Sequence, residues 1–280
     1  MPELPEVETV RRTLERVLVG KKIKFAEVVP DEIVLGGLDA VMIEQMLIDA
    51  TVKAIGRKGK YWWITLDNGP ALMGHLGMAG WIRELGAHTI RLREHGKAPM
   101  EDENGRPRFL KLLIEAEDGG RIAFTDGRRL ARMWLAENPD SCPRVRALGP
   151  DCWTQPRTVG QTVSVLKGRT SPIKAALLDQ KLFAGIGNWI ADEVLYQAGI
   201  APSRLTGSLR ESEIKRLLAA IKMVLDLAVD CGADSERYPE TWLFHKRWGG
   251  GKGDDKIGIH TIRRETIGGR TTAWVPNKQK

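Results

Sequence analysis

The chain has 280 residues and a net charge of +7, with 42% apolar and 28% charged residues. This length suggests about two domains, and the composition is that of a folded globular protein, which excludes disorder throughout the chain. Three cysteines, Cys142, Cys152 and Cys231, are too few and too scattered for a disulfide framework or a four-cysteine zinc site.

Positive charge is concentrated at the C-terminal end. From His245 to Lys280 there are nine basic and three acidic residues, so this segment carries +6 of the net charge of +7. A concentrated basic end predicts a polyanionic partner, although basic tails also serve only to keep proteins soluble.

The first half of the chain has the pattern of a sheet protein with one leading helix. Apolar residues recur at helical spacing after Pro5, which predicts a helix from Pro5 to about Leu18. Further along, apolar runs separated by turn-forming residues predict strands. The predicted strands are Tyr61 to Leu66, Ala71 to Ile82, Phe109 to Ala116 and Arg121 to Thr125, with a long loop from Glu84 to Pro107.

The second half is predicted to be helical. Prolines recur without periodicity from Glu137 to Arg157, so we place a domain boundary there. Helical patterns follow from Ile173 to Gln180 and from Asn188 to Gln197. A longer helix is predicted to begin at Ser208, where Ser-Leu-Arg-Glu resembles a capping box, and to stop at Gly232.

The N-terminus is the first candidate for chemistry. When Met1 is removed, as a small second residue generally permits, Pro2 presents a secondary amine that the positive end of a helix favours in its neutral form. Such an amine can attack the anomeric carbon of a sugar and form an iminium. Glu3 and Glu6, which share a helical face, can transfer protons. On spacing alone, the commoner interpretation is that these residues only start a helix and favour its dipole.

Several other residues are ambiguous by themselves. Lys60 leads into a predicted strand and could act as an acid or bind phosphate, although such charges more often form a solvated strand end. His75 and Met78 lie in a glycine-rich run, where side chains of this kind usually pack in a core. Arg128 follows Asp126 in a turn and could form only a local salt bridge.

Two glycine-containing turns could bind phosphate. Gly185-Ile-Gly-Asn188 opens a helix, and the first backbone N–H groups of a helix have no intrahelical acceptor. Gly268-Gly-Arg-Thr-Thr272 has the pattern of a hairpin with an arginine near its tip. A glycine-rich turn is by itself a weak signal.

Taken together and in this order, the motifs resemble the Fpg/Nei family of formamidopyrimidine-DNA glycosylases over the whole chain. The motifs that carry the resemblance are Pro2-Glu-Leu-Pro-Glu-Val-Glu-Thr9, Lys60 before Tyr61, His75-Leu-Gly-Met-Ala-Gly80, Thr125-Asp-Gly-Arg-Arg129, Leu178-Asp-Gln180 with Gly185-Ile-Gly-Asn188, and Gly269-Arg-Thr-Thr272. The resemblance implies an α+β fold with four parts. These are an N-terminal catalytic β-sandwich with a leading helix (1–140), a linker (141–156), a helix-two-turn-helix DNA-binding domain (157–240) and a β-hairpin finger (241–280).

The resemblance also implies a bifunctional DNA glycosylase and AP lyase of base excision repair. Pro2 would attack C1′ of a damaged nucleotide flipped out of the duplex, release the oxidised base and form a Schiff base. Glu3 would protonate the sugar oxygen, and Lys60 would donate a proton or hold a phosphate. β-Elimination and then δ-elimination would cut the strand on both sides of the lesion, and Arg270 would contact the lesion phosphates and support the second step.

Further matched positions imply contacts with DNA. Glu6 would lie beside the lesion pocket, and Asn188 with Gly187 would contact a phosphate. Met78 and Arg128 would fill the gap left by the extruded base. The matched DNA-binding residues are His75, Met78, Arg128, Leu130, Arg169, Gly187 and Asn188.

The sequence departs from the commonest family members at the finger. The four cysteines of their zinc site are replaced by Asp255, Gly258, Val275 and Lys278. We therefore expect no metal and no other cofactor. The flanking Gly-Arg-Thr-Thr motif is retained, so the finger resembles the zincless finger of the plant and fungal branch and of some Nei-like enzymes.

Two further departures concern the lesion. A gap-filling phenylalanine of many members is Leu130 here, which should stack less well on the bases opposite the lesion. The stretch from Gly232 to Gly250 is too short for the long loop that closes over 8-oxoguanine in the commonest bacterial members. We expect weak excision of 8-oxoguanine and good excision of formamidopyrimidines and hydantoins.

Two alternatives stay open. One is a catalytically inactive DNA-binding member, which the retained Pro2, Glu3, Lys60 and Arg270 argue against; the other is a Nei-like enzyme that prefers oxidised pyrimidines. We expect a monomer that binds damaged double-stranded DNA. Apolar runs stay below about 18 residues and the start is acidic, so we expect no membrane association and a cytoplasmic location, at the nucleoid in a bacterium, or a nuclear one in a eukaryote.

Overall fold

The computed structural model describes residues 2–87, 99–103, 105–249 and 255–280. The chain divides into two compact units. The first contains Met1–Ala147 and Gly232–Ser235, and the second contains Leu148–Cys231 and Glu236–Lys280. The division after Ala147 lies inside the range 141–156 that the sequence suggests as a linker.

The first unit is a β-sandwich with a leading helix. Its helices are α1 (Leu4–Leu18), α2 (Glu32–Leu35), α3 (Ala40–Leu47) and α4 (Pro143–Arg146). Its strands are β1 (Ile23–Val28), β2 (Val52–Lys58), β3 (Tyr61–Leu66), β4 (Ala71–His75), β5 (Trp81–Glu84), β6 (Leu110–Ala116), β7 (Arg121–Thr125) and β8 (Arg132–Ala136). They form two antiparallel four-stranded sheets, in the orders β1-β6-β7-β5 and β2-β3-β4-β8.

The two sheets and α1 share one apolar core. Burial alternates along β6, as expected for a strand with one face toward the core. Trp62 of β3 packs edge-to-face on Phe124 of β7 with 6.0 Å between ring centroids, so side chains of the two sheets meet directly. Gly74 of β4 leaves room for this indole, since a Cβ there would lie 2.2 Å from Trp62 Cζ2.

Helix α1 confirms the predicted leading helix to within one residue. Pro5 stands in the first turn, where its missing N–H has no intrahelical role, and Glu6 is close to the positive helix end. The face with Val7, Val10 and Leu14 is buried in the core. Burial of this face fixes the direction of the helix and therefore the place of its N-terminus.

The single strand predicted from Ala71 to Ile82 is wrong. The structure divides this stretch into β4 and β5, which belong to different sheets. Gly77 adopts φ +63°, and the Gly80 N–H donates to the carbonyl of Leu76 at 2.8 Å, so the glycines turn the chain instead of extending it. The predicted loop from Glu84 to Pro107 lies partly outside the described residues, and its first residue ends β5.

The second unit begins with helices. They are α5 (Val159–Leu166), α6 (Ile173–Leu178), α7 (Asn188–Ala198) and α8 (Glu211–Asp230). The predicted start of α8 at Ser208 is wrong. Ser208 Oγ donates to the carbonyl of Leu205 within a short 3-10 turn, and the Glu213 carboxylate accepts the Arg210 N–H at 2.9 Å, so the helix begins at Glu211.

The second unit ends with two short antiparallel hairpins. One pairs β9 (Lys256–Ile257) with β10 (His260–Thr261), and the other pairs β11 (Arg263–Ile267) with β12 (Arg270–Trp274). Gly268 and Gly269 form the predicted turn of the second hairpin, with φ of +60° and +74°. Within the described ranges, no helix is long and apolar enough to span a membrane.

Candidate active site and nucleic-acid interface

The start of α1 buries Pro2 and two carboxylates. Pro2 is buried directly before the helix, and Glu3 is its N-cap residue. The Glu3 N–H donates to Glu6 Oε2 at 2.9 Å, so Glu6 accepts a hydrogen bond from one of the N–H groups that lack an intrahelical acceptor. Glu3 and Glu6 are 1% and 4% exposed, which removes both carboxylates from bulk water.

Lys60 lies in the two-residue turn between β2 and β3. Lys58 pairs with Tyr61 across this turn, and Gly59 takes the left-handed conformation that such a tight turn requires. Lys60 is only 8% exposed although it is charged. Burial of a lysine is costly, and a buried lysine in a tight turn is therefore a candidate for chemistry.

A buried ion pair joins α1 to this hairpin. Arg57 Nε donates to Glu8 Oε2 at 3.0 Å, and the side chains are 2% and 4% exposed. Burial opposes ionisation of Glu8, but hydrogen bonds from Arg11 and Arg57 outweigh it and lower the pKa of this carboxyl. Arg57 Nη1 also donates to the carbonyl of Gly59 at 3.0 Å. The pair therefore fixes the turn that contains Lys60 relative to the helix that begins after Pro2.

His75 ends β4 and is half-buried. Its Nδ1 accepts the Gly77 N–H at 3.0 Å, and its ring packs edge-to-face on Tyr61. Burial, and then the positive charges of Lys60 and Arg132, lower the pKa of His75 to about 4. At neutral pH the ring is therefore neutral and its Nε2 bears the hydrogen.

The loop that joins β7 to β8 holds Arg128 and Leu130 at the surface. The buried Asp126 carboxylate accepts the N–H groups of Arg128, Leu130 and Ala131, which fixes the loop backbone. Gly77 packs on the same backbone, since a Cβ there would lie 2.3 Å from the Leu130 carbonyl oxygen. Met78 follows Gly77, so its loop and the Leu130 loop are in contact. Met78 and Leu130 are 40% and 39% exposed.

Gln180 shapes the turn before α7 in the second unit. Its Nε2 donates to the carbonyl of Ile186 at 2.8 Å, and its Oε1 accepts the Gly185 N–H at 3.0 Å. Gly187 is the buried N-cap of α7. Gln180, the last residue of the Leu178-Asp-Gln180 motif, therefore fixes the turn before the N-terminus of α7. The sequence predicts a phosphate site at this N-terminus.

Asn188 contacts the hairpin that carries Arg270. Its Nδ2 donates to the carbonyl of Thr271 at 3.0 Å, and its buried Oδ1 has no hydrogen-bond partner among the described residues. Arg270 is the exposed first residue of β12. Arg169, in the segment between α5 and α6, is also exposed, and its Nε donates to the carbonyl of Val165.

A buried carboxylate on α7 holds the same hairpin one helical turn further on. Asp192 Oδ1 pairs with Lys174 of α6, while Oδ2 accepts from Arg247 Nη2 at 2.8 Å and from the Ala273 N–H at 3.2 Å. Asp192 and Lys174 are almost completely buried and Arg247 is 7% exposed. Asp192 therefore connects two helices, the segment after Phe244 and strand β12.

Comparisons with known proteins agree with these observations. The family descriptions "Formamidopyrimidine-DNA glycosylase N-terminal domain" and "Formamidopyrimidine-DNA glycosylase H2TH domain" match residues 1–133 and 148–239. A formamidopyrimidine-DNA glycosylase of Arabidopsis thaliana is 39% identical over 282 residues, which cover 100% of this chain and 71% of that protein. The chain belongs to the formamidopyrimidine-DNA glycosylase family.

Solved structures of the family share the fold. The Lactococcus lactis formamidopyrimidine-DNA glycosylase bound non-covalently to DNA with an AP site has a TM-score of 0.80 and 28% identity, with 99% of each chain covered. The same L. lactis enzyme in complex with DNA that contains an oxidised pyrimidine has a TM-score of 0.80 and 27% identity. The α+β architecture inferred from the sequence is therefore that of the family.

The positions where common members of the family hold zinc do not fit that metal. Val275 is buried in an apolar cluster, and Lys278 Nζ donates to Tyr196 Oη at 3.0 Å. Asp255 pairs with Arg264 at 2.8 Å, and Gly258 has no ligating side chain. In the described ranges, no group of three or more His, Cys, Asp or Glu is arranged to hold a metal ion.

The predicted site residues fall into two sets. Those in the first unit are Pro2, Glu3, Glu6, Lys60, His75, Met78, Arg128 and Leu130, and those in the second unit are Arg169, Gly187, Asn188 and Arg270. Sequence reasoning missed the residues that support them, namely Glu8, Arg57, Asp126, Gln180 and Asp192. Several of these belong to the quoted family motifs, but a motif does not say which member contacts a neighbouring element.

Removal of the Asp192 charge should destabilise the second unit. Asp192→Asn removes the negative charge that the buried Lys174 and Arg247 share, and breaking a buried ion pair in this way costs about 3–5 kcal/mol. Urea denaturation measures the loss. Lys222→Ala, which breaks the exposed Lys222–Asp226 pair on α8, is the control and should change stability by less than about 0.5 kcal/mol. A loss below about 1 kcal/mol in Asp192→Asn would contradict the structural role of the network.

Glu193 should make stability fall as pH rises toward neutrality. Burial raises its pKa to about 7, although hydrogen bonds from Gln197 and the Phe244 N–H oppose this. The ordinary value is 4.5, so between about pH 4.5 and 7 the folded state binds the extra proton, and the free energy of unfolding falls as pH rises.

Glu193→Gln should remove this fall, which amounts to at most about 3 kcal/mol. Between pH 5 and pH 8, the denaturation midpoint of the wild type should therefore fall more than that of the variant. Glu213→Gln is the control, because hydrogen bonds from Arg210 lower the pKa of Glu213 to about 2 and its effect lies below pH 5. Equal profiles for wild type and Glu193→Gln would refute the assignment.

Proposed function

We propose that this protein is a bifunctional DNA glycosylase and AP lyase of base excision repair that acts through a Schiff base at Pro2. The observation that carries the proposal is the buried Pro2-Glu3 start of α1, which Glu6 caps and which the Glu8–Arg57 pair joins to the turn with Lys60. Family membership supports the same activity, since the curated relatives are named formamidopyrimidine-DNA glycosylases.

The chemistry follows from the groups at this end of the helix. The Pro2 nitrogen attacks C1′, the bond from C1′ to the damaged base breaks, and the base leaves with a proton. Glu3 protonates the ring oxygen as the sugar opens to an iminium. Loss of a C2′ proton then expels the 3′ phosphate, and a second elimination expels the 5′ phosphate. Lys60 donates a proton or holds a phosphate in these steps.

The DNA contacts that we propose come from exposed groups on rigid supports. Met78, Arg128 and Leu130 fill the gap left by the extruded nucleotide, and the Asp126 carboxylate holds the loop of the last two. Arg270 contacts the phosphates at the lesion, and the N-terminus of α7 at Asn188 provides a second phosphate site. DNA complexes of the L. lactis relative support a nucleic-acid partner.

The finger folds without zinc in this proposal. The Asp192 network and the Asn188 hydrogen bond connect the hairpin to α7. At the positions matched to zinc ligands, Val275 packs in an apolar cluster, Asp255 pairs with Arg264, and Lys278 donates to Tyr196. This arrangement is consistent with the zincless branch suggested by the sequence. We further propose a monomer in the cytoplasm of a bacterium or the nucleus of a eukaryote.

Two observations support a proposal for which damaged bases the protein removes. Tyr238, Trp242 and Phe244 pack in an aromatic cluster, in which Phe244 contacts Trp189 at 5.0 Å between ring centroids, so these side chains contribute to a core. Leu130 offers less stacking area than phenylalanine. We propose good excision of formamidopyrimidines and hydantoins and weak excision of 8-oxoguanine.

Borohydride trapping tests the mechanism. The wild type should form a covalent adduct with an oligonucleotide that has one abasic site. A variant with two residues added before Pro2 should not, because its proline nitrogen becomes an amide. Arg270→Ala should retain its thermal midpoint but yield less δ-elimination product, with Arg263→Ala on the same hairpin as control. No adduct in the wild type, or an equal adduct in the extended variant, would defeat the mechanism.

A panel of single lesions tests the specificity. Duplexes with formamidopyrimidine, hydantoin, 8-oxoguanine or an oxidised pyrimidine should be cleaved at different rates, with 8-oxoguanine at least about tenfold slower than the first two, which corresponds to about 1.4 kcal/mol in the barrier. Comparable turnover of 8-oxoguanine would refute the proposed range. Faster cleavage of the oxidised pyrimidine, especially in single strands, would favour the Nei-like alternative.

A further inference from the structure

A third exposed apolar side chain lies beside the Leu130 loop. Phe109 is 53% exposed and directly precedes β6. Its ring lies on Gly127, where a Cβ would be 3.0 Å from Phe109 Cδ2. Gly127 and Leu130 belong to the loop held by Asp126, so an exposed phenyl ring occupies the same loop cluster as Met78 and Leu130.

The backbone of Phe109 is held in a conformation that a phenylalanine rarely adopts. Its φ is +61°, in the left-handed region. Its carbonyl accepts the Asp126 N–H at 3.0 Å, and the preceding Arg108 N–H donates to the carbonyl of Met100 at 3.0 Å. Strained conformations that the surroundings enforce cluster at functional sites.

The charge around the ring suits a nucleic acid. The Arg108 guanidinium lies 5.3 Å from the centroid of the Phe109 ring, and both residues are exposed. Arg128 is exposed on the adjoining loop. Aromatic rings flanked by arginines bind nucleic acids by stacking on bases while the cations contact the backbone.

We propose that Phe109 is a DNA-contacting residue that stacks on a base at the lesion, as the aromatic member of the exposed apolar cluster that it forms with Met78 and Leu130. This inference rests on the proposed function. The hydrogen bonds of the Asp126 N–H and the Arg108 N–H fix the backbone at Phe109, and the ring lies over Gly127. Phe109 would therefore favour DNA with a vacated position over intact duplex, because only the former has an unstacked base to cover.

Binding to two duplexes of one sequence, with and without a tetrahydrofuran abasic-site analogue, tests the proposal. Phe109→Ala should weaken binding to the abasic duplex about tenfold and leave binding to the intact duplex almost unchanged. Phe109→Trp should bind the abasic duplex like the wild type. Phe25→Ala is the matched control, because Phe25 is 44% exposed on β1 of the same unit and should have no effect.

Phe109→Gly separates DNA contact from structural packing. Glycine accepts the left-handed conformation, so this variant should retain its thermal midpoint and still lose the preference for the abasic duplex. Unchanged binding in Phe109→Ala, or an equal loss for both duplexes together with a lower thermal midpoint in both variants, would overturn the inference.

Borohydride trapping of the same proteins distinguishes this inference from the proposed function. A wild type that traps on abasic DNA while Phe109→Ala binds normally would defeat only the role of Phe109. A wild type that neither traps nor prefers the abasic duplex would defeat both.

Discussion

The buried ion pair between Glu8 and Arg57 is the interaction on which the proposed chemistry most depends. A secondary amine at the end of a chain has no fixed position unless the first helix is held at both its apolar face and its N-terminal turn. The core holds the face, and Arg57 holds Glu8, which lies five residues after Glu3. Because Arg57 also contacts the Gly59 carbonyl, the same pair places Lys60. Breaking such a pair costs about 3–5 kcal/mol, so the geometry is strongly maintained.

A second buried carboxylate, Asp192, has the corresponding role in the second unit. Two cations and a backbone N–H from three separate segments meet on this group. Buried ion pairs add little net stability compared with a well-packed apolar core. A buried charge that loses one of its partners is costly, however, so arrangements in which the segments do not all meet are disfavoured. Zinc has a similar effect in metal-binding fingers, since it also makes one arrangement of distant ligands far better than the others. Here the ion pairs of Asp192 provide such a constraint on the segments that meet at this carboxylate.

The sequence predicted elements whose signal is local. Helix α1, the strand Tyr61–Leu66 and the Gly268-Gly269 hairpin follow from periodicity and turn residues, and the structure confirms them. The predicted start of α8 was wrong because Ser208 and Glu213 can both cap a helix. Only the hydrogen bond from the Arg210 N–H to Glu213 shows which of the two residues caps this helix. The division of Ala71 to Ile82 depends on which sheet each half joins, and periodicity does not carry that information.

The sequence predicted the reactive residues of the candidate site but not the residues that hold them in place. Pro2, Glu3 and Lys60 carry recognisable chemistry, whereas Arg57 lies 49 residues from its partner Glu8 and Arg247 lies 55 residues from its partner Asp192. Such pairs arise from topology, and a single sequence does not show which of its 43 basic residues will meet a given carboxylate. The strained φ of Phe109 is equally invisible in sequence, because a phenylalanine before a strand predicts only more strand.

Some arginines of this chain form buried ion pairs that support the fold, and others are exposed and available to contact DNA. The net charge of +7 counts every arginine equally, yet Arg57 and Arg247 are buried against carboxylates and are not accessible to phosphate. Arg128 and Arg270, in contrast, are exposed on backbones that Asp126 and α7 hold. Each phosphate contact contributes about 0.9 to the slope of log affinity against log salt, so the salt dependence of binding measures this exposed set and not the net charge. A nearly neutral N-terminal part is therefore compatible with DNA binding, because its internal ion pairs cancel in the count while Arg128 is exposed on a fixed loop.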